Sequence, residues 1–286
     1  MMARPRGEDI PALKQIWKAA FGDPDSYIDF FFEHRFSVQK AMVAYEKDKP
    51  VSVLYVLPCH INVDGEQHPA GYIYAAATHP KKQSKGWMGN LLHYAKSIAK
   101  EEDLAALVLR PGEPSLTRYY ERHGYRTFFQ ESTAKFTRKQ LLSCAKAGSQ
   151  ILPAFADVVT AFRRHYLDGW EGSIQWEEDA VEYALEENTF TGGKNIFIRC
   201  PQGVGYALVG PGPHVTVKEW MAERGVFAYL ADAILKQSEG ETFTMRSPAG
   251  ILRQEISKMS PGGMILPVSS PCIWRGKPPY LGLTLD

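Results

Sequence analysis

The chain has little that would tie it to a metal, a membrane or a nucleic acid. Its four cysteines, Cys59, Cys144, Cys200 and Cys272, are scattered through 286 residues. No two of them have the C-x-x-C spacing of a zinc or redox centre. No metal site is therefore expected, and the thiols read as reduced, mostly buried side chains of a cytoplasmic protein. No apolar run approaches the roughly 20 residues that cross a bilayer. The opening stretch, MMARPRGEDIPALK, carries basic residues but lacks the apolar segment of a secretory leader. Formal net charge is +1, which gives no electrostatic basis for gripping a nucleic acid or a membrane surface. G-x-S-x-G, H-E-x-x-H and G-x-x-x-x-G-K-[ST] are missing too, so the hydrolase, zinc-protease and P-loop chemistries they carry have no support.

What is present is a globular composition, 44% hydrophobic and 12% aromatic, in a length that suits two ordinary domains. The most informative stretch is Tyr72–Leu92, YIYAAATHPKKQSKGWMGNLL. Tyr72 to Ala77 reads as a buried strand. From Gly89 onward Leu91, Leu92, Ala95, Ile98 and Ala99 recur at helical spacing, with Lys96 and Lys100 on the other side. Between strand and helix lie Lys81, Lys82, Gln83, Ser84, Lys85 and Gly86. A helix start with a glycine and lysines beside it suits a phosphate group, because its first N–H groups lack partners and carry partial positive charge. By itself the segment also reads as a plain strand-to-helix turn with a solvated lysine cluster.

Around this stretch the pattern is regular. A first helix opens near Glu8 or Asp9, carries Ile10, Leu13, Ile16, Trp17, Ala20 and Phe21 on one face and stops at Gly22. A second helix carries Tyr27, Ile28, Phe30, Phe31 and Phe32. Apolar runs follow at Ala41–Tyr45, Val51–Leu57 and Ile61–Val63, punctuated by Lys47-Asp48-Lys49-Pro50 and by Asp64-Gly65, a strong hairpin signal. Leu104–Leu109 reads as a buried strand ending at Arg110-Pro111-Gly112. A short helix from about Ser115 to Gly124 and a strand from Tyr125 complete this half.

Gln83-Ser84-Lys85-Gly86-Trp87-Met88, preceded by Ala77-Thr78-His79-Pro80, resembles the Q/R-x-x-G-x-G/A loop of the GNAT (Gcn5-related) N-acetyltransferases. The order α-α-β-β-β-β-α-β-α-β resembles that family's fold, and Tyr120-Glu121-Arg122-His123-Gly124-Tyr125 is similar to its Y-x-x-x-G-F/Y segment. Met88 departs from the pattern, standing where Gly or Ala is usual and followed by Gly89. A larger residue there is found in the enhanced intracellular survival acetyltransferases, which the chain resembles in layout.

The resemblance implies an acetyl-CoA-dependent transfer of an acetyl group to a primary amine, on a small molecule or peptide, by direct attack in a ternary complex. It implies cofactor contacts from Ala76, Ala77, Thr78, Gln83, Ser84, Lys85, Gly86, Trp87, Met88, Gly89 and Ser115. It makes Tyr120 the acid that protonates the departing thiolate, a role that suits a phenol of pKa about 10. Tyr119 points about 100° away on the helix and cannot share that pose; His123 reads as a surface residue near the helix end. A wedge between the Tyr72 strand and Leu104–Leu109 would admit the pantetheine arm, with Pro80 and Pro111 helping the strands part. In the enhanced intracellular survival relatives the terminal carboxylate reaches the site, which puts Asp286 forward, although this chain is too short for their extra domain. Tyr27, Phe30, Phe31, Tyr72 and Tyr74 are the candidate acceptor-site walls, apolar and able to hold a cation; the three consecutive phenylalanines Phe30, Phe31 and Phe32 also read as a core packed on two sides. Other functions in keeping with the layout are a tandem aminoacyltransferase using charged tRNA and a CoA-binding regulator without activity. The identity of the amine, the general base and the oligomeric state have no signature in the sequence.

Residues 151–286 repeat the order of the first half without residue-level identity: helices near 154–166 and 177–187, strands at 195–199, 205–209 and 214–221, a helix at 227–235 and a strand at 243–246. A helix over Arg138–Ala147 precedes the break at Gly148-Ser149-Gln150, which puts a domain boundary near residue 150. In this repeat Ala222-Glu223-Arg224-Gly225 stands at the phosphate-loop position and is too short to cradle a pyrophosphate. The expected architecture is therefore α+β: two tandem GNAT-like domains, 1–150 and 151–286, each a mixed, mostly antiparallel sheet flanked by helices, the second degenerate. The tail segments GGMILPV and YLGLTLD read as two last strands.

Overall fold

A computed structural model describes residues 1–252, 256–269 and 276–283. The chain forms two compact units, one of Met1–Ile61, His68–Thr127 and Gly263–Cys272, the other of Asn62–Gln67, Phe128–Gly262 and Ile273–Asp286. Among the described residues no helix is long and apolar enough to cross a membrane, and no cluster of His, Cys, Asp and Glu could hold a metal ion. Cys59 is buried, Cys144 exposed and Cys200 between the two, all as free thiols. One buried thiol of three corrects the expectation of mostly buried cysteines; Cys272 lies outside the described residues.

The first unit begins with the two-residue strand β1 (Met2–Ala3) and helix α1 (Ile10–Phe21). Pro11 sits in the first turn of α1, where its missing N–H costs nothing, and Gly22 ends the helix in the left-handed region, donating its N–H to Lys18. Leu13, Ile16 and Trp17 are its buried face. Helix α2 (Asp25–His34) buries Ile28, Phe30 and Phe31. Strands β2 (Ala41–Glu46), β3 (Lys49–Val63) and β4 (Glu66–Thr78) follow. Lys47 and Asp48, then Asp64 and Gly65, have positive φ, as two-residue type I′ hairpins require. The runs Val51–Leu57 and Ile61–Val63, expected as separate strands, are one strand, because Pro58 fits extended backbone and is tolerated there.

Helix α3 (Trp87–Glu101) covers this sheet with Leu91, Leu92, Ala95 and Ala99, all buried. Each fully buried leucine contributes about 1.5–3 kcal/mol of transfer free energy. Strand β5 (Ala106–Leu109) then pairs parallel to β4, Ala70 opposite Ala106 and Ile73 opposite Leu109. A 3-10 turn at Pro114–Leu116 and helix α4 (Thr117–Glu121) replace the single helix expected from Ser115. Within this unit the strand order is β1-β2-β3-β4-β5. On the other side of β5, Met264–Pro267 of a late strand pair antiparallel to Ala106–Leu109.

The chain passes from the first unit to the second inside β6 (Arg126–Thr137). The second unit contains α5 (Arg138–Cys144), β7 (Gln150–Leu152), α6 (Ala156–Tyr166), β8 (Ile174–Gln175), α7 (Glu178–Phe190), β9 (Lys194–Cys200), β10 (Gly203–Val209), β11 (His214–Ala222), α8 (Phe227–Gln237) and β12 (Thr242–Ser247). Thr137 and Gln140 form a reciprocal capping box at the start of α5, which ends three residues before the expected Ala147. Its sheet order is β6-β12-β11-β10-β9-β7, and β11 pairs parallel to β12, His214 opposite Thr242 and Val217 opposite Met245. Two helices, three antiparallel strands, a helix and a strand parallel to the third thus occur in both units. The last strand is β13 (Ser257–Pro267).

The second unit's core is a buried apolar cluster that includes Trp220, Leu230 and Phe243. It also holds a buried ion pair: Arg163 donates to Glu219 and to the Tyr206 hydroxyl (3.0 Å), and Tyr206 donates to Glu219 (2.6 Å). YLGLTLD is not a strand over Tyr280–Leu283. Gly282 (φ 58) and Leu283 (φ 42) are in the left-handed region, and two such residues in succession break the extended run of a strand. Tyr280 and Leu281 are nevertheless buried, fixed by Trp176 Nε1 donating to the Leu281 carbonyl at 2.9 Å. Asp286 lies outside the described residues.

Candidate functional site

The parallel pairing of β4 with β5 ends at Ile73 and Leu109, yet β4 continues to Thr78 while the chain turns away at Arg110-Pro111. Five residues, Tyr74 to Thr78, therefore run past their neighbour. At the point of parting Ala75 has φ 44. A residue with a Cβ in that region costs about 1–2 kcal/mol, so the backbone is held there by its surroundings. Burial changes at the same place: Tyr72, Ile73 and Tyr74 are buried, Ala75 and Ala76 only partly. The far end of β4 is tied to β3. Ser52 Oγ donates to the Ala77 carbonyl (2.9 Å) and lies 2.8 Å from Thr78 Oγ1, and His79 N–H donates to the Val51 carbonyl (2.9 Å).

Beyond Thr78 the chain makes a 3-10 turn, Pro80–Lys82, in which His79 Nδ1 accepts from the Lys81 N–H at 3.2 Å. Gln83 Nε2 reaches back to the Thr78 carbonyl at 3.4 Å. Ser84 (φ 61) and Gly86 (φ 77) then turn the backbone into α3. Gly86 is the residue before the helix, and a Cβ placed there would meet nothing within 4 Å. The space over it is open, and its positive φ suits glycine. The first helical bond runs from Asn90 N–H to the Gly86 carbonyl, so the N–H groups of Trp87, Met88 and Gly89 precede it. No acidic residue stands in this turn. Met88 and Trp87 pack against the first unit's apolar core. Met88 is therefore accommodated by pointing inward, leaving its backbone in the helix start.

Two of the loop lysines share an acidic partner. Lys82 forms a short ion pair with Glu46 Oε2, and Lys85 Nζ lies 3.5 Å from Glu46 Oε1. Both stay in contact with solvent, as does Lys81. Contact with Lys82 holds the Glu46 carboxyl below its ordinary pKa despite some burial, and Lys85 acts in the same sense.

Tyr120, on α4, is 8% exposed, with its ring edge-on to Tyr119 (5.5 Å) and Tyr125 (5.8 Å). Burial, and secondarily Tyr119, pushes its hydroxyl up to about 12. Tyr125 is buried with an unbonded hydroxyl. His123 is half-buried rather than a surface residue. Its ring lies across α3 at Gly89, where a Cβ would come within 2.7 Å of Cε1, and edge-on to Tyr119 and His93. Burial, then His93 and Arg122, lowers its pKa, so the ring is neutral at pH 7.

Ser115 is exposed in the 3-10 turn and donates to Glu113 at 3.1 Å. Of the aromatic candidates, Phe30, Phe31, Tyr72 and Tyr74 are buried and Tyr27 partly so. Phe31 and Tyr74 pack with Trp17 and each other at centroid distances of 4.8–5.7 Å, and Tyr72 stacks on Tyr74 at 6.2 Å. Phe30 stacks on His34 at 4.4 Å. Phe31 and Tyr74 are thus core residues with their faces occupied, whereas Tyr27 keeps some exposure. The structure gathers Ala76 to Thr78 and Gln83 to Gly89 along one path from strand end to helix start. Ala75 and Glu46 were missed by sequence reasoning: alanine has no conformational signature, and Glu46 is distant in sequence from the lysines it meets.

Residues 3–128 match the model of a family described as an acetyltransferase (GNAT) domain. No curated protein matches the chain. Among solved structures, a protein from Enterococcus faecalis superposes with a TM-score of 0.74 at 16% identity, covering 94% of this chain and 72% of its own. A GCN5-related N-acetyltransferase from Anabaena variabilis gives 0.73 at 14%, covering 93% and 72%. Eis1 from Mycobacterium abscessus gives 0.67 at 14%, covering 94% and 74%. At such identities these likenesses are likenesses of fold.

Proposed function

We propose that the protein, whose residues 3–128 match the model of an acetyltransferase (GNAT) domain, transfers the acetyl group of acetyl-CoA to a primary amine by direct attack in a ternary complex. The observation that carries this reading is the parting of β4 from β5 after Ile73, at the left-handed Ala75. In this reading the parting leaves a slot toward the N-terminus of α3. The open space over Gly86 and the first-turn N–H groups fit a pyrophosphate, and the slot fits an extended arm.

In this reading the N–H groups of Trp87, Met88 and Gly89 hold the pyrophosphate, and the backbone of β4 between Ala75 and Thr78 polarises the thioester carbonyl. The neutral amine attacks the carbonyl carbon, and negative charge on the oxygen is taken up by that backbone. Collapse breaks the C–S bond, and the leaving thiolate takes its proton from Tyr120. A hydroxyl at about 12 stays protonated at any physiological pH, so it is a hydrogen-bond donor to the nascent thiolate; giving up its proton to a thiol of pKa about 8.5 is uphill, and the transfer is completed as a proton from solvent restores the phenol. The proton lost by the amine passes to water or to a carboxylate; Asp286 is the candidate suggested by the resemblance. Of the candidate acceptor walls, the role is assigned to Tyr27, which keeps some exposure, with the buried Phe30, Phe31, Tyr72 and Tyr74 as packed support.

We further propose that the catalytic domain expected at 1–150 is the first compact unit, which the chain leaves after Thr127 and rejoins at Gly263–Cys272, and that the degenerate copy expected at 151–286 is the second. Aligning the two parallel strand pairs by register sets Glu219 against Ala75 and Trp220 against Ala76. Trp220 is wholly buried, and only residues 223–226 link β11 to α8, against 79–86 in the first unit. Large side chains and a short link leave no cradle there.

Initial rates measured over a panel of primary amines, with both substrates varied, test the reaction. Intersecting patterns and acetylated product support it. Tight CoA binding with no transfer to any amine overturns it in favour of a CoA-binding regulator.

A further inference from the structure

The cofactor of the proposed reaction is polyanionic, and the two lysines nearest its pyrophosphate site are both turned to one carboxylate. Lys82 and Lys85 flank the left-handed Ser84 and stand just before Gly86, and Glu46, at the end of β2, bridges them. The pairs are only half-buried, with side-chain exposures of 36%, 52% and 27% for Lys82, Lys85 and Glu46. Such ion pairs are weak enough for a phosphate to exchange into.

The loop's backbone does not depend on Glu46. It is fixed by His79 Nδ1 on the Lys81 N–H, by the Lys82 N–H on the His79 carbonyl (2.7 Å), by Gln83 on the Thr78 carbonyl and by the His79 N–H on Val51. Removing the carboxylate would therefore leave the cradle's shape and change its charge. From this we infer that Glu46 is an internal counter-anion of the phosphate loop, which competes with the cofactor for Lys82 and Lys85 and so weakens cofactor and product binding. The inference rests on the acetyl-CoA reading of the site. It makes Glu46 a residue that acts through the lysines and never touches the reacting atoms. Its use is turnover: spent CoA, which keeps all the phosphates, meets a ready competitor at the lysines.

The test is calorimetric titration of CoA into wild-type protein and Glu46→Gln at low and high salt, with Lys82→Ala/Lys85→Ala as the third protein. A unit charge about 4 Å away in water-like surroundings is worth about a factor of five. Glu46→Gln should therefore bind CoA about three- to tenfold more tightly at low salt, with the gap closing as screening grows. The double lysine variant should bind more weakly than wild type, and adding Glu46→Gln to it should tighten binding by less than in wild type. Equal or weaker CoA binding by Glu46→Gln at low salt, with wild type binding normally, overturns the role of Glu46 alone. Wild-type protein that takes up no CoA removes the acetyl-CoA reading, and this inference with it. Circular dichroism and melting of Glu46→Gln check that the fold is kept, so that weaker binding is read on a folded protein.

Discussion

At the scale of single residues, the account turns on Tyr120 and Ala75. Tyr120 is buried against Tyr119 and Tyr125 and titrates only near 12. Its substitution by Phe keeps the ring packing and removes the proton. We expect Tyr120→Phe to lower kcat by about a hundredfold with little change in acetyl-CoA affinity, measured by steady-state kinetics beside calorimetry. The sign of its pH dependence follows from the direction of the shift. An acid is lost as pH rises through its pKa, so a pKa raised to about 12 leaves no falling limb from Tyr120 between pH 7 and 10. A falling limb in that range that disappears in the Phe variant would assign Tyr120 an unshifted pKa and contradict the burial argument. Ala75 tests the backbone. At φ 44 a β-branched side chain is more strained than alanine, whereas glycine is not strained at all. Ala75→Val should destabilise the protein by about 1–3 kcal/mol in urea unfolding, and Ala75→Gly should be neutral or stabilising. A destabilised glycine variant would mean that Ala75 carries no strain.

At the scale of elements, legibility followed side-chain pattern. α1, its stop at Gly22, both type I′ hairpins and the start of α3 were readable because glycine, Asp-Gly and helical spacing each act locally. The left-handed residue Ala75 was not, because Ala75-Ala76-Ala77 has no pattern to break and the backbone there is set by its ties to β3 and the end of β5. Residues 280–283 of YLGLTLD were misread for a related reason: alternating apolar residues announce a strand, but two left-handed residues and the bond to Trp176 override them. The buried pair of Arg163 on α6 and Glu219 on β11 was also invisible, since charged residues in amphipathic elements ordinarily read as solvent-facing. Its energetic prediction is sharp. Glu219→Ala leaves a guanidinium at 2% exposure without its carboxylate, and losing one partner of a buried pair costs about 3–5 kcal/mol. Chemical denaturation monitored by tryptophan fluorescence reads this directly; a loss below about 1 kcal/mol, the range of exposed pairs, would show that water reaches the pair.

At the scale of the whole molecule, the two units share an order of elements and a parallel pair at the same place in that order, yet only one has the parts of a cofactor cradle. The first has a left-handed strand residue, partly exposed alanines and a loop, 79–86, ending at an open glycine. The second has Glu219 and Trp220 buried at the matching positions and a link of 223–226. The repeat was legible as an order of helices and strands. Its degeneracy showed only in the short link, because burial of Trp220 is a matter of packing. One cofactor per chain is therefore expected, bound at the start of α3. Titration of acetyl-CoA into wild-type protein and into Gly86→Glu, followed by calorimetry, tests this most directly. One site per chain in the wild type, abolished by a carboxylate projecting into the open space over the helix start, is the predicted result; two sites, or unaltered affinity in Gly86→Glu, would contradict it.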